Sequence, residues 1–164
     1  DGSTQLAGKQ RVEGIEVGLT GHVTERWDVF ANYTVLSSET LEAADTAAGI
    51  AREGQALANT PPRSFNLWTS YQLPAGWSLG YGARYVSERN VSSSSNAKLD
   101  SYWLHNAMVG YKVNDNVDLQ LNLNNLFDED YVERVRQTPG TGARSSAIEY
   151  GDGRSAILSA TYSF

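Results

Sequence analysis

The feature that most limits what this chain can fold into is an alternation of apolar and polar residues with a period of two, repeated along most of its 164 residues. Phe65, Leu67, Thr69, Tyr71 and Leu73 share one parity, with Ser64, Asn66, Trp68, Ser70 and Gln72 on the other. Trp77, Leu79, Tyr81, Ala83 and Tyr85 oppose Ser78, Gly80, Gly82 and Arg84 in the same way. Trp103, Ala107, Val109 and Tyr111 continue the pattern, then Val117, Leu119, Leu121 and Leu123, then Leu158, Ala160, Tyr162 and Phe164. Successive side chains on a strand point to opposite faces, so each segment has one apolar and one polar face. Two earlier segments, around Ile15–Leu19 and Val29–Val35, fit less cleanly. Together these predict seven strands, near 10–22, 27–37, 61–73, 77–87, 99–113, 117–127 and 152–164. Helical spacing is confined to Leu41–Leu57, where a short loop helix is expected.

The connections constrain the topology as much as the strands do. Val23–Arg26, Pro74–Gly76 and Asn114–Asn116 are tight, whereas Ser37–Thr60, Glu88–Lys98 and Asp128–Gly151 are long. Short and long alternate strictly, which puts every tight turn at one end of an up-and-down antiparallel sheet. Outer-membrane barrels show this asymmetry, with short periplasmic turns and longer extracellular loops. On that orientation Ser93 and Thr141 lie outside the cell and Asp115 in the periplasm.

Alternation alone does not say which face is wet, because a soluble barrel turns its apolar side chains inward and a membrane barrel turns them outward. Only three lysines are present, Lys9, Lys98 and Lys112, too few to coat a soluble barrel. Trp27, Tyr71, Trp77 and Tyr111 stand beside tight turns, with Tyr162 and Phe164 at the close, the placement of an interfacial girdle. The apolar parity therefore reads as the lipid face: Leu67, Leu79, Val109, Leu121 and Leu158 outward, Asn66, Gly82, Asn122 and Ser159 toward the lumen. Mean hydropathy is -0.42, which excludes a bundle of membrane helices. A net charge of -6 argues against a nucleic-acid partner, and the absence of cysteine removes thiolate chemistry.

Four segments resemble a known family. The run Asn122-Leu123-Asn124-Asn125-Leu126-Phe127-Asp128-Glu129-Asp130-Tyr131 is similar to a motif near the end of TonB-dependent outer-membrane receptors. Gly153–Phe164 resembles their closing strand, Gly14-Ile15-Glu16-Val17 an earlier strand, and Gly54–Pro61 the lead-in to another, most familiar in ferric-siderophore receptors. The resemblance implies a 22-stranded barrel plugged by an N-terminal domain. Residues 1–164 are then expected to be the C-terminal portion of the barrel, about seven strands of it, with the plug absent. It implies a bacterial outer-membrane location, a ferric siderophore or similar iron chelate as cargo, and coupling to TonB through the missing part. It also implies surrounding outer-membrane lipid, and that Tyr162 and Phe164 serve as a signal to the barrel assembly machinery. The alternative class is a small standalone outer-membrane barrel of about eight strands with a binding or structural role.

The candidate chemistry is sparse. His22 and His105 have no partner at metal-ligand spacing, and Ser92–Ser95 reads as a polar loop tip. The run Asp128–Asp130 lacks the spacing of a calcium loop and reads as strand-end solvation. No catalytic residue, metal site or cofactor is expected, and an enzyme is not. Arg84 and Glu16 fall on lumen parity, expected to pair with the plug or a neighbouring strand. The loop 128–151 holds Tyr131, Arg134, Arg136, Arg144 and Tyr150, a guanidinium and phenol set suited to an anionic, partly aromatic chelate. These five are the predicted ligand contacts.

Overall fold

A computed structural model of the chain describes residues 8–43, 50, 52–92, 97–138 and 145–164. In chain order the strands are β1 (Lys9–Thr24), β2 (Trp27–Glu42), β3 (Arg63–Gln72), β4 (Trp77–Val86), β5 (Arg89–Asn90), β6 (Lys98–Leu99), β7 (Tyr102–Lys112), β8 (Val117–Asn124), β9 (Val132–Thr138), β10 (Ser145–Tyr150) and β11 (Ser155–Tyr162). Seven of them form one sheet in the order β1-β2-β3-β4-β7-β8-β11, every pair antiparallel. The sheet is open, because β1 and β11 each have a single neighbour. β3 and β4 have 10 residues each and β7 has 11, matching the roughly 9–11 that a tilted strand needs to cross a bilayer.

The tight turns close as their residues require. Thr24 pairs with Trp27, leaving Glu25 and Arg26 as a two-residue loop. Between β3 and β4, Ala75 (φ 59°) and Gly76 (φ 81°) both adopt the left-handed region, and Leu73 N–H bonds to the Trp77 carbonyl at 2.8 Å. A Cβ on Gly76 would sit 2.8 Å from the Lys112 carbonyl oxygen, so the position needs glycine twice over. Between β7 and β8 the Asn114 side chain accepts a 2.9 Å bond from Asn116 N–H, the local bond that favours asparagine in turns.

Register confirms the two faces. Trp27 pairs with Tyr71, Tyr71 with Leu79, Leu79 with Val109, Val109 with Leu121 and Leu121 with Leu158, one apolar file across six strands. Asn66 lies beside Arg84, Asn122 beside Met108 and Ser159 beside Gln120 on the opposite face. A second aromatic file was not read from the sequence: Tyr33 pairs with Phe65, Phe65 with Tyr85 and Tyr85 with Trp103. Trp103 and Tyr111 stand eight residues apart on β7, about 26 Å along the strand. The apolar face is therefore bounded by an aromatic row at each end, the girdles of a spanning barrel. On the polar face the Trp68 indole lies across β4, where a Cβ on Gly80 or Gly82 would come within 3.0 Å of its ring.

Several boundaries differ from the expectation. β2 runs on to Glu42 instead of stopping at Ser37, so Leu41 and Glu42 are extended and not helical; residues 44–49 and 51 of the expected helix lie outside the described residues. The segment expected as one strand over 99–113 is split, since Lys98–Leu99 pairs with Arg89–Asn90 in a separate ribbon. The loop 128–151 holds a second ribbon, β9 with β10. Ser93 and Thr141 are outside the described residues. The missed strands lack the alternation of the spanning ones: β9 reads Val132-Glu133-Arg134-Val135-Arg136, with charges on both parities.

Candidate functional site

At the end of the sheet opposite the tight turns, the long loops fold onto the polar face. Val86, Tyr102 and Leu104 share that face and form a small buried cluster, covered by Tyr131 from the β8–β9 connection. The rings of Tyr102 and Tyr131 lie 4.4 Å apart. Tyr131 also rests on Gly151, where a Cβ would fall inside its ring, and Gly151 N–H bonds to the Tyr131 carbonyl at 2.9 Å. Burial, followed by the nearby Glu133 carboxylate, pushes the Tyr131 phenol above its usual pKa.

The turn leading into this cover is built by Asn125, which adopts φ 47° and is buried. Its side-chain amide donates to the carbonyls of Glu129 (2.9 Å) and Asp152 (3.1 Å) and accepts from Glu129 N–H (2.8 Å). Asp128 does more than solvate a strand end. It accepts from Arg154 N–H at 2.9 Å and pairs with the Arg154 guanidinium at 3.6 Å, tying the Asn-Leu-Phe-Asp segment to the approach to β11.

Two side chains from other loops hold the β9–β10 ribbon. Arg89 is 4% exposed, lies with its guanidinium 5.5 Å from the centroid of the Tyr102 ring, and donates to the carbonyls of Val132 (2.8 Å) and Glu133 (2.6 Å). Asn59 imitates a neighbouring strand: its amide donates to the Val135 carbonyl (3.0 Å) and accepts from Val135 N–H (3.2 Å). Asn59 N–H bonds in turn to the Asn90 carbonyl (2.8 Å), so three loops meet at one residue. Glu133 points to the wall, 3.6 Å from the Arg84 guanidinium and 3.4 Å from the Tyr102 hydroxyl. Glu133, Arg84, Arg89, Asn59, Ser64 and Asn66 line a recess of about 230 Å³.

Strand alternation turns Arg134 and Arg136 to the other side of the ribbon, where both guanidiniums engage the single carboxylate of Glu149 on β10. The Arg134 hydrogen bond holds the Glu149 carboxyl below its ordinary pKa. Of the predicted ligand contacts, Arg134 and Arg136 are thus together, Tyr150 is exposed nearby on the same ribbon, and Tyr131 is half-buried as a cover. Arg144 lies outside the described residues. Glu16 accepts from Asn32 on the adjacent strand at 2.5 Å, His22 pairs with Asp28, and His105 sits on the apolar face bonded to the Tyr81 hydroxyl at 2.6 Å. Tyr162 and Phe164 stack at 6.5 Å beside the tight-turn rim, where the Asn116 amide donates to the Ser163 carbonyl at 2.6 Å. Among the described residues no group of three or more His, Asp or Glu could hold a metal ion.

The residues that sequence reasoning missed are Asn59, Arg89 and Glu133. Asn59 lies within Gly54–Pro61, and an asparagine directly before Thr60-Pro61, a residue type that tolerates the left-handed backbone found there (φ 54°), is its one local signal. Arg89 and Glu133 carry no signal that separates them from solvated loop charges.

An up-and-down sheet with one girdled apolar face and one polar face bearing inward-folded loops defines a segment of an outer-membrane barrel wall. The chain belongs to the family described as "TonB dependent receptor-like, beta-barrel", whose profile matches residues 2–126. It is 37% identical over 143 residues to the catecholate siderophore receptor Fiu of Escherichia coli K12, covering 84% of this chain and 18% of that protein. It is 35% identical over 164 residues to the probable TonB-dependent siderophore receptor PiuA of Acinetobacter baumannii, covering 96% and 21%. The crystal structure of the siderophore receptor PiuA from that organism superposes with a TM-score of 0.82 at 32% identity, covering 94% of this chain and 22% of the other. The chain thus spans about a fifth of the length of these relatives. TonB-dependent receptor barrels are outer-membrane proteins of Gram-negative bacteria, and in a barrel that spans a membrane the apolar face is the one turned to lipid.

Proposed function

We propose that this chain supplies barrel wall and extracellular loops to an outer-membrane receptor that takes up a ferric siderophore, energised through TonB. Residues 1–164 belong to the C-terminal part of that barrel, with the plug and the TonB contact provided elsewhere in the receptor. The observation that carries the reading is the β9–β10 ribbon, held to the polar wall by Asn59 and Arg89 with Arg134 and Arg136 turned away from it. The two guanidiniums share the one Glu149 carboxylate, and the net positive charge that remains suits the charged oxygens of an iron chelate. The similarity to receptors named for catecholate siderophores supports a catecholate as cargo. Tyr150, exposed on the same ribbon, adds a phenol to the pair.

The test is uptake of a radiolabelled ferric catecholate by iron-starved cells carrying the full-length receptor. Replacing both arginines, Arg134→Gln with Arg136→Gln, lowers uptake at limiting chelate about tenfold, the equivalent of roughly 1.4 kcal/mol of binding. Receptor abundance in the outer membrane stays at the wild-type level. Unchanged uptake at equal abundance would remove the two arginines from the site.

A further inference from the structure

The lipid face carries a groove of about 520 Å³ between β2, β3, β4 and β7. Its wall on one side is the file Trp27, Tyr71, Leu79 and Val109, and on the other it meets Tyr81. Thr69 and Ala107, the small residues that flank Tyr81 in its own cross-strand file, form the floor. A depression on a barrel's outer surface sees hydrocarbon, yet this one is built from residues that also carry polar groups.

The polar groups of Trp27, Thr69 and Tyr81 are already engaged within the protein. Trp27 Nε1–H donates to the Thr69 hydroxyl at 2.7 Å instead of reaching for the headgroup region, as an indole at the interface ordinarily does. The Thr69 hydroxyl donates to the Asp28 carbonyl at 2.8 Å, and the Tyr81 hydroxyl is bonded to His105. The floor of the groove and its Trp27 and Tyr81 sides thus offer an occupant neither donor nor acceptor, and the indole is locked as a rigid wall. An alkyl chain fits such a surface and a polar ligand does not.

Position fixes the leaflet. Trp27 and Tyr71 belong to the aromatic row beside the tight turns, and the tight turns of such barrels are periplasmic. Arg26, exposed and next to Trp27 in the turn, forms no ion pair with a described residue and sets a cation at the same rim. We propose that this groove is a binding site for one acyl chain of a periplasmic-leaflet glycerophospholipid, its phosphate held near Arg26. The site does not depend on which cargo the receptor carries.

The experiment is native mass spectrometry of the full-length receptor released from mild detergent. The wild type retains one phospholipid under conditions that strip the remaining lipid. Ala107→Phe fills the floor and lowers the retained fraction at least tenfold, whereas Ala160→Phe, on the lipid face of β11 outside the groove, leaves it unchanged. Thr69→Leu narrows the same groove from β3 and replaces Ala107→Phe if that variant does not fold, folding being scored by heat-modifiable gel mobility. A wild type that retains no phospholipid, equal retention by the groove-filling and Ala160→Phe variants, or lipopolysaccharide in place of phospholipid would overturn the proposal.

Discussion

The Asn59 side chain makes the two hydrogen bonds to Val135 that a paired strand would make, and it does so from a loop 76 residues away in sequence. Val135 is buried, 6% exposed, so its N–H and C=O have no ready water to turn to. Asn59→Ala leaves both groups unpaired and costs about 1–3 kcal/mol of local stability. The expected readout is hydrogen exchange in the full-length receptor, faster at Val135 and unchanged in the middle of β4. Equal exchange at Val135 in mutant and wild type would mean that the ribbon stands without the amide. Arg89 acts at the neighbouring carbonyls by a different means, a buried guanidinium sandwiched between the Tyr102 ring and two backbone acceptors.

At the scale of elements, the β9–β10 ribbon owes its far face to the contact of Arg134 and Arg136 with Glu149, and that contact is tied to pH. The Glu149 carboxyl titrates below its usual range, so the folded ribbon binds its proton less readily than the open one does. Its contribution is complete above the ordinary carboxylate pKa and is lost as pH falls through the depressed folded value. Exchange protection along β9 is therefore expected to hold from neutral pH to about 5 and to fall at more acid pH, with Glu149→Gln abolishing the acid step. An acid step of the same size in Glu149→Gln would assign it to another group. The spanning elements and their turns were legible in the sequence because a strand between lipid and lumen must alternate, as Leu79, Tyr81 and Ala83 do against Ser78, Gly80 and Gly82. The ribbons were not legible, since β9 alternates Glu133 with Arg134 and shows no apolar face to a reader of the sequence. The arginine pair was legible as composition, its carboxylate partner and its two anchors were not, because those contacts join residues 15 to 76 positions apart.

As a whole molecule, the sheet has two unpaired edges, and in a bilayer unpaired backbone groups cost several kcal/mol each, so β1 and β11 require neighbours. Assembly must therefore deliver the β11 edge in register, and the geometry there suits that task. Asn116 Nδ2–H and the Ser163 N–H bond hold the backbone after β11 to the β7–β8 turn independently of any ring. Tyr162 and Phe164 consequently project from a fixed backbone on the lipid parity, both highly exposed. If Phe164 served only as an interfacial anchor, Phe164→Ala would lower the stability of the folded receptor by about 1.5–3 kcal/mol and reduce membrane levels only through that loss. As a signal to the assembly machinery, its loss blocks insertion while the backbone clamp keeps the folded state intact. The expected outcome for Phe164→Ala in the full-length receptor is normal refolding into detergent micelles, scored by heat-modifiable mobility, with a several-fold drop in the amount reaching the outer membrane. Wild-type membrane levels in cells would exclude the signal role, and a parallel loss in refolding and in membrane level would assign Phe164 to anchoring alone.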